Sequence, residues 1–308
     1  EAVNVTNIFV PKDQLVVTTK SKVKKYNKTY YTQRDAVDTE IPLVVLIDGK
    51  SASASEIVSG ALQDMDRAVV VGTRSFGKGL VQRPKPLTYG TQMKITISRY
   101  YTPSGRCIQA LDYWNRDKNG KATRTQQENY NAFKTRNGRD VFDGGGVEPD
   151  MEVEFSKHTT ITKAISNENL VFNFATEFYY DNKIEDLKSF SLSDSDFKKF
   201  KNYIKASGFN FETKTEVALH DAIRIAEEEE LKAVINAEYN DLTQALQAYK
   251  SNAIDANKTQ LKALLTDEII KRYFYSEGLY TYYTANNSEI KKGLSILNNP
   301  SQYASILR

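Results

Sequence analysis

The sequence predicts an α/β fold: a core with a parallel, βαβ-containing sheet at residues 1–156, followed by an α-helical domain at 157–308. Three observations carry that prediction. Residues 1–150 hold 12 of the 15 glycines and 6 of the 7 prolines, the punctuation of strands and turns, and the rest of the chain holds almost none. Leu43-Val-Val-Leu-Ile47 and Ala68-Val-Val-Val71 are continuously apolar, as strands covered on both faces are. Between them, Ala54 to Met65 places Ile57, Val58, Ala61 and Leu62 on one helical face.

Strand, helix, strand in that order gives a right-handed crossover and hence a local parallel pair. Further strands are expected at Leu15–Thr19, Leu80–Gln82 and Met93–Tyr101. In the last of these, Met93, Ile95 and Ile97 alternate with Lys94, Thr96 and Ser98, which predicts one wetter face. Residues Leu111 to Gly146 are polar and include Asn119-Gly120 and Asn137-Gly138, so a long loop or protruding hairpin is expected there.

Helices are expected near Ile161–Tyr180, Asp194–Ala206, Thr215–Lys250, Lys258–Tyr275 and Ser288–Leu297. Asp194-Ser-Asp marks a helix start, and Gly208 follows a helix end. The charge run Glu227 to Glu230 reads as a solvated helical face.

Composition sets the class. At 308 residues, 40% hydrophobic and 26% charged, the chain can bury a sizeable core and favours two domains. A net charge of +3 gives no argument for a nucleic acid or a strongly anionic partner. The single Cys107 excludes an internal disulfide and a multi-cysteine metal site, and fits either redox compartment. No apolar run approaches the roughly 18 residues of a membrane span. The chain opens at Glu1-Ala-Val-Asn-Val without an initiator Met, as expected of a piece cut from a longer precursor, so a missing targeting signal carries no information.

The chemistry concentrates in Lys50-Ser-Ala-Ser-Ala-Ser-Glu56 and Phe76-Gly-Lys-Gly79. The two histidines, His158 and His220, lie far downstream, away from any catalytic motif. A nucleophilic serine in this chain therefore needs lysine as its base. A helix of about a dozen residues carries the chain ~18 Å from Ser53, and a strand of about six residues returns it ~20 Å. Lys78 is thus expected at the end of the sheet from which the helix leaves, where α/β ligand sites lie.

Of three neighbouring serines, Ser51 is outside the helix and Ser55 is inside its first turn. Ser53 sits at the turn, where the Ala54 N–H and the helix dipole favour an oxyanion. Gln82 can accept a hydrogen bond from the Lys78 amine and aim it at Ser53, and burial would hold that amine neutral. A purely structural reading stands beside this one. Ser53-Ala-Ser-Glu56 is a capping box, and Phe76-Gly-Lys-Gly79 alone is a turn with a solvated lysine.

The ordered set Leu43-Val-Val-Leu-Ile-Asp48, Ser51-Ala-Ser-Ala-Ser-Glu-Ile57, Arg67-Ala-Val-Val-Val-Gly72, Phe76-Gly-Lys-Gly79 and Gln82 closely resembles the catalytic core of the carboxyl-terminal processing peptidases, also called tail-specific proteases. Tyr101-Thr-Pro-Ser-Gly105 and Gly146-Val-Glu-Pro-Asp150 resemble that family's later motifs. The resemblance covers about residues 1–155 and implies a serine–lysine endopeptidase acting near protein C-termini. It implies Ser53 as nucleophile, Lys78 as general base, Gln82 orienting Lys78, and the Ala54 N–H as part of the oxyanion hole. No metal or cofactor is implied, and Glu56 is read only as a helix cap.

The family places a PDZ domain, then a strand and Gly-Gly segment with the second oxyanion donor, upstream of these motifs. This chain starts after both, and weak or absent activity of the segment is the expectation. Protein or peptide substrates bound near their C-termini are the implied partners, and the bacterial cell envelope is the implied location. Family analogues use C-terminal helices for dimerisation or core support, so Thr215–Lys250 is either a homo-oligomer contact or a packed intramolecular helix. The alternative is a non-catalytic peptide- or ligand-binding relative on the same scaffold, with Lys78 charged and exposed. An acyl-CoA enzyme fits less well, since the sequence offers no basic phosphate-binding cluster around the site.

Overall fold

The computed structural model describes residues 1–153 and 158–308. Two compact units emerge, Glu1–Phe155 with Asn287–Arg308, and Ser156–Asn286. The expected boundary at residues 156 and 157 lies outside the described residues.

In the first unit the βαβ element forms as expected. Strand β3 (Val44–Ile47), helix α2 (Ala54–Asp64) and strand β4 (Val69–Gly72) give a parallel pair with Val44 opposite Val69 and Ile47 opposite Gly72. A short strand β11 (Met151–Glu152) joins the far side of β4, also in parallel, giving the order β11-β4-β3. Strand β4 is fully covered. Val70 packs with Ala61, Leu62 and Met65 on the α2 side, and Val69 and Val71 pack with Ile296 on the other. Ile296 belongs to α9 (Ser288–Leu297), which with α10 (Pro300–Ile306) closes that face. Helix α9 was expected at Ser288–Leu297 and α10 was not foreseen; both pack on the sheet, because alternate valines of β4 need an apolar cover on both sides. Strand β3 departs from the expectation of double cover: Leu46 is 42% exposed, since β3 is the edge of this sheet.

A second sheet has the order β2-β1-β6-β5, built from β1 (Leu15–Lys20), β2 (Lys28–Tyr31), β5 (Leu80–Pro86) and β6 (Gln92–Tyr101). All its pairings are antiparallel. In β6 the expected alternation is shifted. Ser98 and Tyr100 are the buried residues, while Met93 near the outer end is 45% exposed. The core contact of this strand is made by Tyr100, and the hairpin beyond it stands in solvent.

The segment from Leu111 to Gly146 folds as two small hairpins, β7 (Leu111–Arg116) with β8 (Ala122–Arg124), and β9 (Ala132–Lys134) with β10 (Asp140–Phe142). Their turns hold Gly120 and Gly138, both at positive φ, as the Asn-Gly pairs predicted. Helix α1 (Ala2–Phe9) was not foreseen; Asn7 anchors it by bonding the backbone of Gln33 and Arg34.

The second unit is helical: α3 (Thr160–Asn167), α4 (Leu170–Asp181), α5 (Asp194–Ala206), α6 (Lys214–Glu228), α7 (Lys232–Ala256) and α8 (Lys258–Asn286). Its core is aromatic and aliphatic, with Phe174, Phe178 and Phe200 packed on Ile161, Leu261 and Leu265. Helix α5 starts at a capping box between Ser193 and Asp196, and Gly208 follows its end at positive φ, both as expected. Helix α8 is interrupted at Tyr275, where its expected end lay.

The single helix expected over Thr215–Lys250 is broken at Glu229–Leu231. Glu230 takes a left-handed conformation at φ 59°, and the Leu231 N–H reaches back to the Ala226 carbonyl at 2.7 Å. That is a helix-terminating pattern made without glycine. Four consecutive carboxylates at the negative end of the helix dipole also disfavour continuation. The run is therefore solvated, as expected, but as a helix end.

Candidate active site

Helix α2 begins directly after Ser53, and β4 returns the chain to the same edge, so the turn Gly72–Gly79 meets the turn Asp48–Ser53. The Phe76 N–H donates to the Ser51 carbonyl at 3.0 Å. Glu56, wholly buried, ties the two turns together more tightly. Its Oε2 accepts from the Ser53 N–H at 2.8 Å and the Lys78 N–H at 2.9 Å. Its Oε1 accepts from the Ser75 hydroxyl at 2.5 Å and the Gly77 N–H at 2.6 Å. Four donors converge on one side chain, a setting that suits a carboxylate acting only as acceptor.

Tyr100 makes a second tie. Its hydroxyl lies within 3.2 Å of the Ser53 carbonyl and also hydrogen-bonds the Lys78 carbonyl. Burial, then the nearby Glu56 carboxylate, pushes the phenol well above its ordinary pKa, so it remains a donor. Ser75 extends the network, accepting from the Val147 N–H at 2.7 Å while donating to Glu56. Gly77 is at φ 85°, and a Cβ there would sit 2.3 Å from the Ala110 side chain, so no other residue fits this turn.

Ser53 itself has φ 59° and ψ −113°, a conformation normally reserved for glycine at a tight turn. Strain of this kind gathers at functional turns, as in the sharp strand-to-helix elbow of serine hydrolases. The capping box is present in outline, but the serine hydroxyl makes no cap hydrogen bond. The Glu56 N–H bonds the Ser53 carbonyl instead, at 3.0 Å. The neighbouring serines are occupied otherwise: the Ser51 hydroxyl bonds with Asp48, and Ser55 lies in the first turn of α2. Ala54 is exposed at the first helical position, where the N–H has no carbonyl one turn earlier within the helix.

The predicted side chains are not all joined. Lys78 is exposed, where a buried side chain was expected. Gln82 is also exposed, and its amide donates to the Thr96 hydroxyl at 3.4 Å across the β5–β6 pair. A bulge between Val81 and Gln82 sets that register. The backbones of Ser53 and Lys78 are thus fixed together, while the lysine and glutamine side chains extend outward. Glu56, Ser75 and Tyr100 complete the site and were not foreseen in these roles. Glu56 was visible only as the third residue of a cap.

Residues 1–113 match the model of peptidase family S41. Residues 161–297 match the domain described as "Probable PDZ-protease, C-terminal helical domain". A carboxy-terminal-processing protease of Bartonella bacilliformis is 46% identical over 111 residues, 36% of this chain and 25% of that protein. A chloroplastic C-terminal processing peptidase of Tetradesmus obliquus is 39% identical over 109 residues, 35% of this chain and 23% of its own length. A solved photosystem II D1 C-terminal processing protease is 28% identical, with a TM-score of 0.35 over 50% of this chain and 30% of that one. The chain thus matches about a quarter of the length of these curated relatives. By these matches the first part of the chain is similar to peptidase family S41 and to carboxyl-terminal processing proteases.

Proposed function

We propose that this chain carries the catalytic dyad of a serine–lysine endopeptidase that processes proteins near their C-termini. In this reading the Ser53 hydroxyl attacks the scissile carbonyl, and Lys78 takes its proton and returns it to the leaving amine. The Ala54 N–H stabilises the oxyanion from the helix start. Water then hydrolyses the acyl-enzyme, and Gln82 turns inward to orient the amine once substrate fills the cleft. Catalytic hydrogen bonds in substrate-free enzymes are commonly open and tighten on binding.

The observation that carries this reading is the Glu56 oxygen shared by the Ser53 and Lys78 backbones, together with the strained turn at Ser53. A fluorophosphonate probe on the full-length protein tests it. Labelling of Ser53 that is lost in Lys78→Ala supports the dyad, and labelling that survives in Lys78→Ala refutes the base assignment. An envelope location and self-association through the helical unit belong to the same proposal, and are checked by cell fractionation and by sedimentation.

The exposure of Lys78 favours a second reading, a non-catalytic peptide-binding relative on this scaffold. Absence of any Ser53 labelling, with the protein folded, would select it.

A further inference from the structure

The β2-β1-β6-β5 sheet carries no carboxylate. Its strands lie inside two stretches, residues 14–34 and 67–111, that contain neither Asp nor Glu. A cavity of about 430 Å³ opens on this sheet, and Lys25, Lys28 and Arg83 line it with Tyr26, Tyr30 and Gln82. No acidic residue lines it. The overall charge of +3 conceals this, because the balancing carboxylates sit elsewhere in the chain.

The groove and the site share strand β6. Ser98 lines it, and Tyr100, two residues along the same face of β6, reaches the Ser53 and Lys78 carbonyls. Two residues of strand span only ~7 Å. Thr19, the cross-strand partner of Tyr100, lines it as well. Gln82, proposed above to orient Lys78, is part of its wall.

We propose that this groove is the subsite that receives peptide carboxylates, so that the site selects protein segments bearing anionic groups beside the scissile bond. The inference deepens the proteolytic reading and rests on it for the word substrate. Three cations with no acid among them attract an anionic chain and repel a basic one, which gives selection by exclusion as well as by attraction. The Lys25 amine lies 5.2 Å from the Tyr26 ring centre, a cation–π contact that holds it at the rim. The concavity of the site favours an extended peptide over a flat bilayer. The carboxylates can be acidic side chains or a free C-terminus.

The test uses the 308-residue chain as Ser53→Ala and fluorescence anisotropy with eight-residue peptides. One peptide carries three Glu, its counterpart three Gln, and each is made as C-terminal acid and as amide. The Glu peptide is expected to bind about tenfold tighter than the Gln peptide, since exposed ion pairs contribute about two- to threefold each. That ratio should collapse toward one in the combined Lys25→Gln, Lys28→Gln, Arg83→Gln variant and at high salt. Equal binding of all four peptides overturns the proposal, as does a ratio that persists in the triple variant. A preference that follows only the terminal acid assigns the groove to C-termini, and one that follows Glu assigns it to side chains; either supports it. Phosphatidylglycerol vesicles that bind in a groove-dependent way while the peptides do not would also overturn it. Probe labelling of Ser53 in the full-length protein reports separately on the catalytic reading. Loss of the Glu preference with labelling intact sinks the groove alone, and absent labelling with the preference intact sinks the catalysis alone.

Discussion

Ser53 and Lys78, 25 positions apart in sequence, donate their backbone N–H groups to the same oxygen of Glu56, at 2.8 and 2.9 Å. The contact fixes the main chain at both residues and leaves their side chains free to work. A buried carboxylate inside the first turn of α2 therefore ties the two backbones together, and the Tyr100 hydroxyl repeats the tie through the two carbonyls.

Glu56→Gln turns one acceptor into a donor that faces other donors. Buried hydrogen bonds to charged groups are worth about 1.5–3 kcal/mol each. The variant is expected to lose about 2–4 kcal/mol in urea unfolding and to label poorly at Ser53. Stability and labelling both at the unmutated level would remove Glu56 from this role.

The strain at Ser53 predicts an order of stabilities. Glycine adopts φ 59° freely, whereas alanine does not. Ser53→Gly should unfold at higher urea than Ser53→Ala, by about 1–2 kcal/mol, although neither is labelled by the probe. An alanine variant as stable as the glycine one would show that the turn relaxes without cost.

Asp194 supplies a pH prediction for the helical unit. Hydrogen bonds from Lys262 and then Lys258 hold its carboxyl down at about 2, below the ordinary 3.8. A depressed folded pKa gives a stabilising contribution that is complete above the unfolded value and is lost as pH falls from 3.8 toward 2. A carboxyl NMR titration should place the Asp194 midpoint near 2, and Lys262→Met should raise it. A midpoint near 4 in the unmutated chain would contradict the bridges.

Glu230 stands at φ 59° where α6 gives way to α7. Glu230→Gly is expected to raise stability by about 0.5–1 kcal/mol, by relieving that conformation and one of four adjacent charges. Thermal unfolding would show it as a higher midpoint, and a lower one would mean that the carboxylate holds the turn.

What the sequence made legible was whatever is written in local pattern. The apolar runs at Leu43–Ile47 and Ala68–Val71 and the helical face between them predicted the parallel pair, and the Asn-Gly pairs marked turns where one long loop or hairpin was expected and two hairpins form. The α6–α7 break was hidden because its left-handed residue is a glutamate, which carries none of the signal a glycine would. The hub at Glu56 was hidden for a different reason. Three of its four donors are backbone N–H groups, at 53, 77 and 78, and such groups leave no trace in residue identity. The basic groove was obscured by averaging: acid-free stretches at 14–34 and 67–111 meet only in the folded sheet.

The Tyr303 hydroxyl accepts from the Leu43 N–H at 2.8 Å, across 260 positions of sequence. Leu43 leads into β3, the first strand of the sheet that carries the site, and Tyr303 belongs to the helices that cover its outer face. During synthesis, therefore, Val69 and Val71 wait for their cover until the whole helical unit has left the ribosome. Long-range closure of this kind slows folding and leaves apolar surface open in the interval. The sheet beside the candidate site is thus closed by a segment made only after the helical unit, a long-range step rather than a local one.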